Sequence, residues 1–272
     1  MNGHRGFGQT IGEQATDIAI ARARQHGVCI AGLHNAHHIA RIGRWAEQCA
    51  RANLASIHFV NVLSSPLVAP HRGADARLAT NPFCVGVPHE PHPIVLDYAT
   101  STVAQGKVRV AYEAGKQMDD GLLLDHQGRP TRDPAVMFSD KMGAMLPFAQ
   151  HKGYALAVMC EILGGALSGG KVQDQLFEPS PMINNMLSVV FATDRLTSSE
   201  KLASQITSLA VWLRGSPRAK EDEPILMPGE QERITAAARG RDGIPLPPGT
   251  SKALVEAGKR VGSDAFERLL GA

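Results

Sequence analysis

His38 is the residue whose type and surroundings best fit acid–base chemistry in this chain of 272 residues. It belongs to a stretch that is loop-like at His37 and helix-like by Trp45. A histidine at the mouth of a helix can move a proton near neutral pH, because the positive end of the helix dipole favours the neutral imidazole that acts as a base. The pattern indicates proton chemistry on a small substrate. A helix-capping or core histidine is the alternative.

A second group of polar residues, at positions 97–101, follows the apolar run 94–96 and precedes a predicted helix. The carboxylate of Asp97 at a strand end can hold a ribose hydroxyl, and the hydroxyls of Thr100 and Ser101 at a helix mouth can hold a phosphate. The same residues would serve equally as a helix N-cap. The interpretation stays open on the sequence alone.

Two further segments allow both a functional and a structural interpretation. Asn81 stands before a proline, which usually means a turn. His151 and Lys152 begin an apolar helix, where the helix dipole disfavours a cation, so that they indicate either a function or simple exposure to solvent.

The common nucleotide-binding motifs are not supported. Residues 165–171 fit the first seven positions of a P-loop, but Val172 stands where Mg²⁺ binding needs Ser or Thr. The run also follows a predicted helix, whereas a P-loop follows a strand. No GxGxxG motif follows a predicted strand, so an ordinary Rossmann site is not expected.

Composition narrows the class of protein. The net charge of +2 gives no basic field for nucleic-acid binding, and no run of eighteen apolar residues predicts a membrane span. No signal-peptide core opens the chain. The cysteines form no CxxC pair, so we expect reduced core thiols, no metal site and a cytoplasmic protein. They are Cys29, Cys49, Cys84 and Cys160.

Apolar periodicity predicts an alternation of helices and strands, which is the α/β class. The predicted strands are 28–33, 54–63, 83–87, 94–96 and 187–192. The predicted helices are 11–26, 42–53, 104–114, 154–167, 200–214, 231–239 and 251–258. A turn-rich connection is expected over 125–134, and a loose segment is expected after the Gly-rich break up to Pro181.

Taken together, these segments resemble the malate/L-lactate dehydrogenase family of NAD(P)-dependent oxidoreductases, and most closely its hydroxycarboxylate dehydrogenase branch. This group is distinct from the Rossmann lactate and malate dehydrogenases. The resemblance covers almost the whole chain in one order. It is carried by residues 6–9, 37–47, 78–82, 97–101, 104–107, 128–131, 146–147, 151–154, 161–169, 184–185 and 228–230.

The resemblance implies a three-layer α/β fold with a mixed sheet, of the non-Rossmann, sulfolactate dehydrogenase-like type. It implies hydride transfer between NAD or NADP and C2 of a 2-hydroxy or 2-oxo acid, with His38 as the proton acceptor and donor. The residues that it places along the cofactor and substrate cleft are Ser64, Asn81, Asp97, Ala99, Thr100, Ser101, His151, Lys152, Gly153, Gly229 and Glu230.

The resemblance also implies a homodimer, because sites in this family are completed across a subunit interface. Residues 61–199 would form the NAD(P)-binding part, and residues 1–60 with 200–272 the helical dimerisation and substrate part. Relatives carry a Ser-His-Gly segment before the Gly-Phe-Gly-Gln of residues 6–9, and this chain has none. A start site assigned too late would explain the difference. The alternative function is a catalytically silent remnant that keeps the fold and binds nucleotide or a partner subunit.

Overall fold

The core of the molecule is a five-stranded sheet with the strand order β1-β8-β2-β3-β4. A computed structural model describes residues 1–173 and 182–270. The strands are β1 (Val28–His37), β2 (Leu54–Leu63), β3 (Phe83–Val87), β4 (Ile94–Tyr98), β5 (Leu123–Leu124), β6 (Pro130–Thr131), β7 (Ala144–Met145) and β8 (Ile183–Ala192). The predicted bounds of β2 and β3 are confirmed, whereas β1, β4 and β8 are longer than predicted.

The helices lie close to the predicted ranges. They are α1 (Gly8–His26), α2 (Gly43–Arg51), α3 (Gln105–Glu113), α4 (His151–Met159), α5 (Ser199–Arg214), α6 (Glu230–Asp242), α7 (Pro248–Arg260) and α8 (Ala265–Leu270). The sequence analysis missed α8. Helix α1 ends where predicted, because Gly27 adopts a left-handed φ of 86° and its N–H bonds the Ala23 carbonyl.

The strand directions differ from the expectation. All four ladders of the five-stranded sheet are antiparallel, so the predicted mixed sheet is wrong for these strands. Strands β1 and β2 flank α2 and run parallel to one another, as a β-α-β order predicts. Strand β8 inserts between them and pairs antiparallel with both, and this insertion removes the parallel ladder.

Side chains alternate between the two faces of the central strands, and helices that pack on both faces give the fold three layers. Val60 and Met186 join Trp45 of α2 in one buried cluster, whereas Asn61 points to the opposite face, where its side chain bonds Glu161. Successive strand residues point to opposite faces, so helices α1 and α2 cover one face of the sheet and residues 160–166 cover the other. Burial of a side chain such as Trp45 contributes about 2–3 kcal/mol.

The predicted helix 154–167 changes its winding. It is α-helical as α4 and continues as a π-helix over Cys160–Ala166. Apolar periodicity gives no signal of this change. A π-helical segment is uncommon and often lies at a functional site.

A smaller sheet with the order β6-β5-β7 packs beside α3 around a second core that contains Val108, Leu123 and Met145. The predicted turn-rich connection runs from β5 through β6, and Asp125 accepts the backbone N–H groups of Gln127 and Arg129. This segment is therefore organised by its own turn.

The last helices are the least buried part of the described chain. Helices α5 and α6 contain no buried residue, and Trp212 on α5 is 80% exposed. The predicted domain boundary near residue 60 falls inside β2. The loose segment predicted up to Pro181 lies partly outside the described residues. In residues 1–173 and 182–270, no helix has the length and apolarity needed to cross a bilayer.

Candidate active site

A cleft of about 200 Å³ opens where β1 ends and the chain turns toward α2. Its walls are mainly apolar, with a few polar groups, which is the composition of a small-molecule site. The lining residues are His38, Ala40, Ile42, Val60, Val62, Ser64, Leu67, Ala79, Thr80, Pro82, Ala99, Ala104, Gln105, Met182 and Asn184. Of the predicted site residues, His38, Ser64 and Ala99 are brought together here.

His38 is exposed at the cleft, but it does not stand at the mouth of a helix. It directly follows β1, and α2 begins only at Gly43, so the predicted dipole effect on its imidazole does not apply. The next residue is anchored instead, because the Ile39 N–H donates to Oδ1 of the buried Asn184 at 2.9 Å. The sheet therefore holds the backbone beside His38.

The N-terminus of α2 is occupied by Asp97. Its Oδ2 accepts the Gly43 N–H at 2.8 Å and lies 3.7 Å from Nη1 of Arg41. Burial raises the pKa of the Asp97 carboxyl, and the Gly43 N–H and Arg41 oppose that shift. Asp97 thus caps α2 from β4, although the N-cap residue of that helix is Ile42. The sequence analysis allowed a capping role for Asp97, but at the helix that follows it, α3.

Ser64 and Asn81 contribute to the cleft in different ways. Ser64 lines it directly, whereas Asn81 is fully buried between the lining residues Thr80 and Pro82. The Asn81 side chain accepts the Val62 N–H and donates to Glu161 at 2.6 Å. Its amide shapes the cleft wall from within the protein.

Thr100 and Ser101 are also buried, and their hydroxyls are used internally. Thr100 Oγ1 bonds the Thr80 and Asn81 carbonyls, and Ser101 Oγ donates to the Val103 carbonyl at 2.8 Å. These bonds fix the segment that leads from β4 past Ala99 into α3. The hydroxyls position the backbone here.

His151, Lys152 and Gly153 form the first turn of α4, as predicted. His151 and Lys152 are exposed, and the His151 ring lies 5.9 Å from the His71 ring. A Cβ on Gly153 would overlap the Phe148 carbonyl oxygen, so this position requires glycine. The Phe148 N–H in turn bonds the Thr100 carbonyl at 3.0 Å, which joins this helix start to the cleft segment.

Gly229 and Glu230 lie apart from His38, across β4. Gly229 and Asp97 line a larger cleft of about 920 Å³ between α2, β4 and α6. Glu230 accepts the Met227 N–H at 2.8 Å and pairs with Arg214, and these contacts lower the pKa of the Glu230 carboxyl. The larger cleft contains several arginines and carboxylates that pair with one another, and it lacks His38.

Three polar residues of this region belong to segments that carry the family resemblance, but they were not predicted as site residues. Asn184 and Gln105 line the cleft, and Glu161 is buried behind it. Asn184 lies three residues before the predicted strand 187–192 and inside the observed β8, and its place in the Asn184–Asn185 pair of the family resemblance was the available signal. All four cysteines are free thiols, three of them buried and Cys29 half-buried. In the part of the chain that is described, no three His, Cys, Asp or Glu side chains are grouped to hold a metal ion.

Comparison with known proteins identifies the family. Residues 1–255 match the malate/L-lactate dehydrogenase family model. The chain belongs to this family. Hydroxycarboxylate dehydrogenase B of Escherichia coli K12 is 47% identical over 265 residues, which cover 96% of this chain and 73% of that protein. L-lactate dehydrogenase of Cupriavidus necator is 37% identical over 241 residues, which cover 87% of this chain and 69% of that protein.

Solved structures of family members have the same fold. An E. coli structure described as a malate/lactate dehydrogenase matches with a TM-score of 0.94 at 45% identity, covering 100% of this chain and 78% of that one. Sulfolactate dehydrogenase of Methanocaldococcus jannaschii matches with a TM-score of 0.82 at 28% identity, and the match covers 96% of this chain and 75% of that one. The predicted family, its hydroxycarboxylate dehydrogenase branch and the α/β class are confirmed, and the chain is an oxidoreductase of the dehydrogenase type.

Proposed function

We propose that this chain transfers a hydride reversibly between a nicotinamide cofactor and C2 of a small 2-hydroxy or 2-oxo acid, with His38 as the general acid and base. The observation that carries the proposal is the position of His38, an imidazole at an otherwise largely apolar cleft in a member of a dehydrogenase family. The printed names of its relatives include hydroxycarboxylate, lactate, malate and sulfolactate dehydrogenases. A 2-hydroxy acid is the feature these substrates share.

The start of α3 fits the phosphates of a dinucleotide. Its N-cap residue Ala104 supplies no side-chain cap, and its first turn contains Lys107 and no acidic residue. Ala104 and Gln105 line the cleft. An uncapped helix N-terminus favours an anion, so these residues and the exposed Lys152 would hold the cofactor phosphates.

When bound, the nicotinamide supplies the hydride chemistry, and the protein supplies the proton and the environment. In the oxidative direction a neutral His38 ring nitrogen accepts the hydroxyl proton of the substrate, and in the reductive direction the imidazolium returns it to the carbonyl oxygen. The side chains of Val60, Val62 and Leu67 supply apolar parts of the cleft wall. The Ile39–Asn184 bond restrains the loop that presents the imidazole.

We also propose that the chain acts as a homodimer. Large apolar side chains of the C-terminal helices face solvent in the single chain, among them Trp212 at 80% and Leu269 at 79% exposure. Exposed apolar patches mark interaction surfaces. Sedimentation equilibrium would measure the assembly, and a monomer at micromolar concentration would contradict this part of the proposal.

The test is a titration of the protein with NADH and NADPH, followed by nicotinamide fluorescence. Pyruvate, 2-oxoglutarate and phenylpyruvate are then added in turn. We expect binding of one nucleotide and its oxidation by at least one of the acids. Binding without oxidation by any of them would favour the catalytically silent alternative. Absence of binding would contradict the cofactor assignment.

A further inference from the structure

A chain of side-chain amides crosses the sheet behind the cleft and ends at Glu161. The Asn35 N–H donates to Oδ1 of Asn185 at 2.7 Å, and Nδ2 of Asn185 donates to Oδ1 of Asn61 at 2.5 Å. Nδ2 of Asn61 then donates to Oε2 of Glu161 at 2.8 Å. Asn61, Asn185 and Glu161 are buried, so these bonds do not compete with water.

Two more branches meet at the same carboxylate. Oδ1 of Asn81 accepts the Val62 N–H at 3.0 Å, and Nδ2 of Asn81 donates to Oε1 of Glu161 at 2.6 Å. The Gln173 N–H donates to Oε2 of Glu161 at 3.0 Å, and Nε2 of Gln173 donates to the Ser64 carbonyl at 2.7 Å. Glu161 therefore receives hydrogen bonds from three separate segments of the chain.

Backbone groups determine which side-chain atom donates and which accepts in each of these hydrogen bonds. The N–H groups of Asn35 and Val62 can only donate, so Asn185 and Asn81 must turn their amide oxygens toward them and their NH₂ groups away. Asn185 thereby forces Asn61 into the same orientation. Each branch then ends in a donor that needs an acceptor. An ionised carboxylate, which only accepts, satisfies them all.

The anchored segments are those that shape the cleft. Asn35 has a left-handed φ of 58° at the bulge of β1, three residues before His38. Asn81 has a φ of 25° between the lining residues Thr80 and Pro82, and Ser64 lines the cleft itself. Asparagine tolerates the left-handed φ of Asn35, whereas the φ of Asn81 lies outside that region and persists where surrounding bonds enforce it.

We propose that Glu161, in the π-helix, is a positioning residue whose carboxylate sets the geometry of the cleft by accepting from Asn61, Asn81 and Gln173 together. The inference rests on the proposed function, because the geometry it sets is that of His38 and of the cofactor cleft. The π-helical winding of residues 160–166 belongs to this arrangement, because Glu161 lies in its first turn and is buried against the sheet.

The test uses a substitution that keeps the shape and changes one acceptor into a donor. In Glu161→Gln, the new NH₂ group must face either Asn81 Nδ2 or the donors of Asn61 and Gln173. We expect kcat/KM to fall about 100-fold, mainly in kcat, because His38 is displaced, with the fold retained by circular dichroism. A folded variant with turnover within threefold of the parent would overturn the proposal.

A second substitution provides the rescue. Asn81→Asp alone places two carboxylates against each other, and we expect it to be at least as damaging as Glu161→Gln. In the double variant the new carboxylate at position 81 can accept both the Val62 N–H and the NH₂ of the new amide at position 161. These two contacts are then restored with the charge moved to the neighbouring residue, and only the 3.3 Å bond from Nδ2 of Asn81 to the Ala157 carbonyl is lost. We expect the double variant to recover at least tenfold in kcat/KM over Asn81→Asp. A double variant no better than Asn81→Asp would contradict the network.

The His38 imidazole resonances in NMR spectra give a readout that does not require turnover. We expect them to shift in Glu161→Gln and to return toward the parent in the double variant. A parent that oxidises no nucleotide would contradict the proposed function alone, and the resonances would still decide the positioning role. Unchanged His38 resonances in a folded Glu161→Gln would overturn that role.

Discussion

The Asp97 carboxylate of β4 caps helix α2 from a distance of 54 residues along the chain, through a 2.8 Å bond from the Gly43 N–H. The loop that carries His38 is therefore held at both ends. Asn184 of β8 binds it at Ile39, and Asp97 binds it where α2 begins. Both anchors are side chains of the central sheet, so the position of the loop backbone depends on strand pairing.

This cap predicts a difference between two substitutions of Asp97. Asp97→Asn keeps an oxygen that can accept the Gly43 N–H and removes a charge that burial disfavours, so we expect stability within about 1 kcal/mol of the parent. Asp97→Ala leaves the helix N-terminus uncapped and should cost about 1–2 kcal/mol. Urea unfolding at pH 7 measures both. Equal losses in the two variants would show that the cap is not the stabilising contact.

Gly8 packs against the loop that carries His38, so we expect a larger residue at this position to displace that loop. A Cβ at this position would overlap the carbonyl oxygens of His37 and His38, so Gly8→Ala must push the loop away. We expect a loss of about 1–3 kcal/mol, as for other forced overpacking, and reduced turnover. Gly240→Ala in α6 is the matched control, because a Cβ there meets nothing within 4 Å. It should raise stability by up to about 1 kcal/mol. A Gly8→Ala variant as stable and as active as the parent would contradict the prediction.

Local patterns predicted much of the fold. The bounds of β2 and β3 follow from their apolar runs and the flanking turns, and α1 follows from its periodicity and Gly27. Strand β1 was predicted to end at Leu33, where the apolar run of residues 28–33 ends. It continues to His37 because Asn185 supports the bulge from the neighbouring strand.

The site was less predictable than the fold, because its polar groups bind partners that are distant in sequence. The residues around Asp97 in the sequence do not show that its carboxylate binds the N-terminus of α2. The spacing around Glu161 reveals neither the π-helix nor the amides that meet there. His38 was identified by its residue type and by the family resemblance, while the helix-dipole argument for it failed because α2 begins at Gly43. Strand order and long-range hydrogen bonds are tertiary properties that a local pattern does not encode.

The proposed function predicts a specific loss in His38→Ala. We expect turnover to fall by roughly two to four orders of magnitude while nicotinamide binding stays nearly intact, which is the usual effect of losing a general acid and base. His37→Ala is the control, because it removes the neighbouring imidazole, which does not line the cleft. Stopped-flow and steady-state assays measure both. Turnover of His38→Ala within tenfold of the parent would end the assignment.

His58 predicts a pH dependence of stability that is separate from catalysis. Its ring is fully buried between Ser188 Oγ at 2.8 Å and Ser56 Oγ at 3.0 Å, and burial lowers its pKa to about 4. Between pH 6.5 and 4 the unfolded chain therefore binds more protons at this site than the native protein, so stability falls as the pH falls through that window. The loss should reach roughly 2 kcal/mol at pH 5 and roughly 3 kcal/mol by pH 4. Urea unfolding at pH 7 and pH 5 measures it, with His58→Gln as the control that has nothing to titrate here. If the parent and His58→Gln lose the same stability between these pH values, the imidazole is not the group responsible.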